Sequence, residues 1–350
     1  MAAPTAGRTE PTRRPVAWSE MRIVFSEDGR DFQRRDWTRL VSADPAGTFF
    51  HRPRYLKLYW EEFGETPEHL LLAFAEAEDG TQVGAVAFER IDDTLRFLGG
   101  TEITDYLGPV ALPEAKEAMA KELWSALLAR EDWRVADLWG LAEDRGWYQL
   151  LGDAASAAGL DTEEAPDHDG VAPFLPLPAT WDAYLDGLVA KHRHEIRRKA
   201  KKLEAEAGPY RIVTADADTL RPMLDRFVEL HRMSEGPKGV FMVPGMEIFF
   251  RRLGEAFCAD GVFRLTMIEV GEELAAGTIG FSSDGTSYLY NSAFDRKWGG
   301  LAPGMVLVGE NIRRAIEDGC TAFDLLKGDY EYKYRFGAHA RRVRRLIVTR

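Results

Sequence analysis

Hydrophobic positions along this chain recur in blocks, and the blocks alternate between two periods. In RPRYLKLYWEEFG, Tyr55, Leu58, Tyr59 and Phe63 fall at helical spacing. Two apolar runs follow, LLLAFAEAEDG and TQVGAVAFER, and the Asp79-Gly80 step between them predicts a hairpin. A third strand, TLRFLGG, leads to DYLGPV. Pro113 then stands at a helix-start position before EAKEAMAKELWSALLAR. RVADLWGL reads as a strand, a short helix ends near Gly159, and VAPFLPLP reads as a last strand.

The same order then returns. Helices are predicted at FVELHRM and EIFFRRLGEAFCADG. Strands FRLTMIEV and LAAGTIGFS flank a Gly271-Glu272 turn, and SYLYNSAF adds a third. A glycine- and proline-rich turn, a helix MVLVGENIRRAIEDG, a strand AFDLL, a short polar segment and RRLIVTR complete it. Two α/β units of one order predict tandem domains. Pro173, Pro176 and Pro178 place the boundary between 19–178 and 179–350, after a disordered tail at 1–18. A helix between the halves, WDAYLDGLVAKHRHEIRRKAKKLEAEAG, carries seven Lys or Arg and one Glu from Lys191 to Lys202. It reads either as a solvated face or as a basic rim toward an anionic ligand such as a nucleotide phosphate or a tRNA backbone.

Composition narrows the classes. The 350 residues carry a formal charge of −12, which disfavours a protein that wraps nucleic acid broadly. The two cysteines, Cys258 and Cys320, imply neither a disulfide framework nor a metal motif. No apolar run approaches the roughly 20 residues of a membrane span. The N-terminal segment lacks the apolar core of a secretory signal, so the expected location is cytoplasmic.

The candidate chemistry gathers in the last third. The turn Arg296-Lys297-Trp298-Gly299-Gly300-Leu301-Ala302-Pro303-Gly304 runs into a helix whose first residues include Met305. A helix start offers unpaired N–H groups to an anion, and glycines let a ligand approach the backbone. The matching loop of the first half, Ala111-Leu112 before Pro113, has no glycine run and no basic pair. The first half is therefore expected to keep the fold without that site. His231 ends an apolar helical stripe and is either a packing residue or a general base. Asp324 alternates with Phe323 and Leu325, so its carboxylate faces away from them and needs a partner, with Lys333, a backbone amide or an amine substrate as candidates. Tyr290 and a backbone amide of SYLYNSAF are the reserve candidates. His192 and His194 lie in the basic helix and read as surface or packing residues. No metal-ligand pattern and no GxSxG elbow is present.

These pieces resemble a known family. FVELHRM, SYLYNSAF, APGMVLVGENIRRAIEDG, FDLLKGDYEYKYRFG and the basic terminal strand are similar to the GNAT-superfamily acyltransferases of the CelD type, relatives of the Fem aminoacyl-tRNA-dependent peptidyltransferases. The resemblance is strongest from Thr180 onward. It implies two tandem GNAT-like domains, each a mixed central sheet flanked by helices, with the working site in the second. It also implies transfer of an acyl group, acetyl first among them, from acyl-CoA to an amine acceptor, without a metal. The donor would rest on Arg296, Lys297, Gly299, Gly300, Ala302, Gly304 and Met305. His231, Asp324, Tyr290 and Lys333 would serve the acceptor side. The turn departs from the superfamily's tighter RxxGxG/A run, which keeps an aminoacyl-tRNA donor open. A catalytically inactive scaffold is the third alternative.

Overall fold

The computed structural model describes residues 21–165, 170–234 and 240–350. The expected tail at 1–18 lies outside the described residues, as does part of the loop after His231. The first half runs β1 (Arg22–Ser26), α1 (Asp31–Arg34), α2 (Thr38–Ala43), α3 (Pro53–Phe63), β2 (Leu70–Glu76), β3 (Gln82–Ile91) and β4 (Thr94–Phe97). It continues through β5 (Val110–Ala111), α4 (Lys116–Leu128), β6 (Val135–Ala142), α5 (Trp147–Ala157) and β7 (Asp161–Glu164). Strand β8 (Phe174–Pro176) ends the first half, and the second runs α6 (Trp181–Gly187), α7 (Ala190–Ala207), β9 (Tyr210–Thr214), α8 (Leu220–Arg232) and α9 (Pro244–Phe257). After these come β10 (Phe263–Val270), β11 (Glu273–Ser283), β12 (Thr286–Phe294), α10 (Pro303–Glu317), β13 (Ala322–Asp324), α11 (Glu331–Tyr334) and β14 (Val343–Thr349).

Local chemistry accounts for these elements. Proline opens α3, α9 and α10, where its missing N–H costs nothing. The β10–β11 hairpin turns on Gly271, which has φ +63°, and pairs Val270 with Glu273 across a two-residue loop. Strand β2 is buried along its whole length, as a central strand covered on both faces must be. Strands β1, β7 and β9 had no clear signal in the apolar pattern. They are short, and β7, Asp-Thr-Glu-Glu, is exposed throughout.

The two sheets are mixed and flanked by helices. One follows the order β1-β2-β3-β4-β6-β14-β7, with β5 beside β3; the other follows β8-β13-β12-β11-β10-β9. The halves thus exchange their last strands. β14 lies antiparallel between β6 and β7 of the first sheet, and β8 lies antiparallel to β13 at the edge of the second. A division at 178/179 follows the order of the chain, whereas the sheets trade strands across it. Alternation explains why the pattern is silent about the trade. Val343, Leu346 and Val348 are buried in β14, and the alternation after the register shift at Arg344/Arg345 would suit a strand of either sheet.

Helices α7 and α10 cover one face of the second sheet, and Leu203, Leu307, Ile268 and Ala276 pack between them. Helix α8 covers the other face, where Phe227, Ile279, Phe281 and Tyr288 join the core of the first half. Phe49 stacks on Phe281 at 3.9 Å between ring centroids across that junction. The second sheet is therefore covered by α7 and α10 on one side and by α8 together with the first half on the other.

Candidate active site

The second sheet opens at one place. Strands β12 and β13 pair in parallel from Thr286↔Ala322 to Tyr288↔Asp324 and then separate. Strand β12 continues to Phe294 with β11 alone. Its register shifts where Gly280 faces Leu289 and Ile279 faces Asn291, so Tyr290 is the extra residue of a β-bulge. A Cβ on Gly280 would lie 2.4 Å from the Tyr288 carbonyl oxygen, so glycine is required there. A bulge bends its strand, here away from β13. The chain after β13 departs the other way and stays with the exchanged segment. Leu325 N–H donates to the Pro173 carbonyl and Gly328 N–H to that of Val171, both at 2.9 Å. Leu326 at φ +57° and Gly328 at φ +106° make the turn. The result is a slot where the strands part, with Leu289–Phe294 on one side and residues 325–328 on the other.

On the α7–α10 face the slot meets the glycine turn. Residues Arg296–Leu301 form a 3₁₀ turn, and Ala302 at φ 52° ends it and caps α10. Pro303 has no N–H, and the Met305 and Val306 N–H groups return to the Ala302 carbonyl at 3.1 and 3.3 Å. The Gly304 N–H makes no hydrogen bond among the described residues. It is a donor at the positive end of a fifteen-residue helix. Beside it, Gly299 and Gly300 are exposed, and a Cβ at Gly304 would lie 3.9 Å from the Phe294 ring. Arg296 and Lys297 stand exposed on the rim, but the Lys297 ammonium is engaged by Glu273 and its backbone N–H by Asp295. Lys202 of α7 reaches over to the Gly300 carbonyl at 3.0 Å. Met305 packs with Leu289 and Leu325 on this face of the slot.

On the opposite face, a loop of the first half crosses the slot. Ile103 accepts the Tyr290 hydroxyl at 2.6 Å, on the β12 wall. Asp105 accepts the Lys327 N–H at 3.0 Å and Thr101 accepts the Lys327 ammonium at 2.7 Å, on the other wall. Tyr106 donates to Asp324 at 2.9 Å where the strands part. Asp105 is half-buried, and its second carboxylate oxygen takes no hydrogen bond from the described residues and is not sealed from solvent. Burial pushes its carboxyl up to about 6. The Lys327 N–H and the charges of Lys333 and Lys327 hold it down in part, while Asp324 adds to the rise.

Of the expected acceptor residues, Asp324 and Lys333 both bond Leu326, Tyr290 stands on the β12 wall, and His231 lies apart in the core. Asp324 is 1 % exposed and projects away from Phe323 and Leu325, toward the first half. Its expected partner Lys333 is replaced by Arg341, whose guanidinium donates to Asp324 at 2.8 Å and to Tyr106 at 3.1 Å. Arg341 also lies 3.9 Å from the centroid of the Phe174 ring and is bonded to Asp144. The expectation of a backbone amide holds, since Leu326 N–H donates to Asp324 at 2.9 Å. Lys333 is buried and donates to the Leu326 and Lys327 carbonyls at 2.7 and 2.8 Å, so it staples the slot's wall. Tyr290 lies at the bulge, and burial raises its phenol well above the ordinary value, which makes it a poor proton donor. His231 is fully buried, 3.1 Å from the Asn291 side-chain oxygen and flanked by Phe227 and Phe241. That position braces the bulged strand and does not open on the slot, because the apolar stripe of α8 carries the imidazole into the core.

Two groups escaped the sequence reading. Asp105 sits in a loop whose only apparent role was to link a strand and a helix, and Lys202 was one cation among seven. A loop carboxylate has no periodicity to mark it, and its placement depends on contacts with residues more than two hundred positions away. Among the described residues no group of acidic, histidine or cysteine side chains could hold a metal ion, and no helix is long and apolar enough to cross a membrane.

Residues 190–334 match the family model described as an acetyltransferase (GNAT) domain. The chain is similar in fold to FemX, at 13 % identity and a TM-score of 0.63 over 89 % of this chain and 94 % of that one. It is similar to a conserved protein from Bacteroides thetaiotaomicron, at 13 % identity and 0.60 over 94 % and 100 %. It is also similar to the C-terminal domain of a putative lysylphosphatidylglycerol synthetase from Agrobacterium fabrum, at 10 % identity and 0.56 over 92 % of each. No curated protein matches the chain.

Proposed function

We propose that this chain, whose residues 190–334 match an acetyltransferase (GNAT) domain and whose fold is like that of FemX, transfers an acyl group from acyl-CoA to an amine through the slot between β12 and β13. Acetyl is the first acyl group to test. The observation that carries this reading is the slot itself: it opens beneath the start of α10 on one face and onto Asp105 on the other. The donor's pyrophosphate is assigned to the Gly304 N–H and the α10 terminus, with Lys202 and the rim cations beside it. The amine comes from the side of the first half. Asp105 orients it as an ammonium and takes one proton, so that the neutral amine attacks the thioester carbonyl. The N–C bond forms, the C–S bond breaks, the leaving thiolate takes the second proton that the nitrogen loses, and the proton on Asp105 passes to solvent. A carboxyl that titrates at about 6 is suited to this exchange near neutral pH. Backbone groups of β12 beyond Tyr288, which have no strand partner on the slot side, can polarise the carbonyl. Tyr290 and Lys333 hold the two walls, and Asp324 and His231 hold the strands behind them.

We assign the donor site to 179–350 and a supporting role to 19–178. In the first half the corresponding gap between β4 and β6 is filled: Leu107 N–H donates to the Gly140 carbonyl at 3.0 Å, and both Tyr106 and Leu107 are buried. A second reading, an aminoacyl-tRNA donor as in Fem enzymes, is favoured by the basic helix α7 and by the loose glycine turn. Calorimetry with CoA, acetyl-CoA and bulk charged tRNA separates the two. Binding of CoA that Gly304→Val weakens supports the first reading. Binding of charged tRNA without CoA replaces it with the second, and binding of neither leaves a scaffold.

A further inference from the structure

We propose that the exposed face of α7 docks on a bilayer surface that carries anionic lipid. The helix divides cleanly. Ile196, Ala200, Leu203 and Ala207 pack toward the second sheet and α10. Lys191, His194, Arg198 and Lys201, at spacings of three and four residues, form one exposed stripe, and Arg197 borders it. Lys191, Arg197, Arg198 and Lys201 make no ion pair or side-chain hydrogen bond among the described residues. Of the nearby acids, Glu195 is paired with Lys199 and Arg335, Glu331 with Arg335 and Glu206 with Lys202, while Glu204 stands exposed past the end of the stripe. The unpaired cations therefore span about 15 Å of helix in a protein whose net charge is −12. A basic stripe on a chain of opposite net charge is a local field suited to an anionic partner.

Two neighbours of the stripe favour lipid over a phosphodiester chain. Val189, at the start of α7, is 61 % exposed, and Tyr330, next to Glu331 of the adjoining wall, is 58 % exposed. Lys191, His194 and Arg198 share one depression with Glu331, Tyr334 and Arg335. A nucleic-acid backbone has no use for an exposed valine. A bilayer interface accepts an apolar side chain, an aromatic tip and a row of cations together. This surface lies apart from the slot and is tested apart from CoA binding; a tRNA donor would claim the same cations, and the RNA arm of the test detects that.

The test is co-sedimentation with phosphatidylcholine vesicles, with and without about one third phosphatidylglycerol, near physiological salt. The full chain is expected to sediment only with the anionic vesicles and to be released by high salt. The triple variant Lys191→Ala, Arg198→Ala, Lys201→Ala should bind about a hundredfold more weakly, at roughly fivefold per cation. Val189→Ser should weaken vesicle binding alone. An unchanged melting temperature establishes that the variants are folded, and salt release of the parent tests the charge dependence without any variant. Parent protein that ignores anionic vesicles overturns the proposal, as does a folded triple variant that binds like the parent. Capture of bulk RNA at the same salt, with vesicles ignored, reassigns the surface to nucleic acid.

Discussion

The two halves of this molecule follow the same path up to one point and then diverge. In each, two parallel strands share three residue pairs: Thr94↔Val135 to Arg96↔Asp137 in the first, Thr286↔Ala322 to Tyr288↔Asp324 in the second. In each, the strands then separate before a helix that begins with proline, Pro113 or Pro303. In the first half the chain between them runs from Leu98 to Leu112, and it folds back so that Leu107 pairs with Gly140. A Cβ on Gly140 would lie 2.6 Å from the Leu107 nitrogen, so that glycine exists to admit the plug. In the second half the link is only Asp295 to Ala302, too short to fill its own gap. The plug of the first half instead reaches across and floors the slot of the second. A duplicated fold can thus turn one copy's opening into a closed core and use the closing loop as part of the other copy's site.

The comparison can be broken most directly at Asp105. If the first half contributes the base, Asp105→Asn should lower turnover by about 10²–10⁴-fold with CoA affinity unchanged. Steady-state kinetics beside calorimetry checks both, and equal turnover would return the plug to a purely structural role. The junction behind it is next. Arg341→Met leaves the Asp324 carboxylate buried without its cation and should destabilise the protein by about 3–5 kcal/mol. Denaturant unfolding should show both halves melting together, because Arg341 precedes β14 of the first sheet while Asp324 ends β13 of the second.

The helix starts offer a matched pair of changes. Gly304→Val keeps the N–H but sets a branched side chain before it, and should weaken CoA binding by about tenfold, as lengthening one hydrogen bond to a charged group would. Glu114→Val, at the same step after Pro113, should leave CoA binding alone. Equal effects at both positions would erase the proposed asymmetry.

A smaller effect concerns pH. The Asp105 carboxyl is raised to about 6, so its proton binds the folded state more tightly than the unfolded one. Its contribution to stability is present at acid pH and is lost as pH rises from about 4 through about 6. Asp105→Asn should therefore gain stability over the parent near pH 7 and lose that advantage below pH 4. On the same argument kcat/KM should fall below about pH 6, and Asp324→Asn should move that limb to lower pH by removing a like charge. An unmoved limb would assign the titration to another group. The smallest effect is expected at the thiols. Burial raises both Cys258 and Cys320, aided at Cys258 by Asp216, so neither favours a thiolate. A double Ala variant should retain turnover, and its loss in a folded protein would point to an acyl-cysteine route.

Much of this architecture was legible along the chain. Apolar period and turn residues located the hairpins at Asp79-Gly80 and Gly271-Glu272, the proline-opened helices, and the glycine turn before α10, because each of these depends on neighbours within a few residues. Alternation also set the facing of Asp324, which points away from Phe323 and Leu325 as a strand requires. What Asp324 meets there was not local. Arg341, Tyr106 and the exchanged β8 come from distant parts of the chain, and any buried cation would have satisfied the same carboxylate. The strand exchange, the closure of one gap and the opening of the other, and the delivery of Asp105 to the slot were decided only by tertiary structure. Strand pairing and loop docking are settled by shape and by long-range hydrogen bonds, which leave no periodic trace in the order of residues.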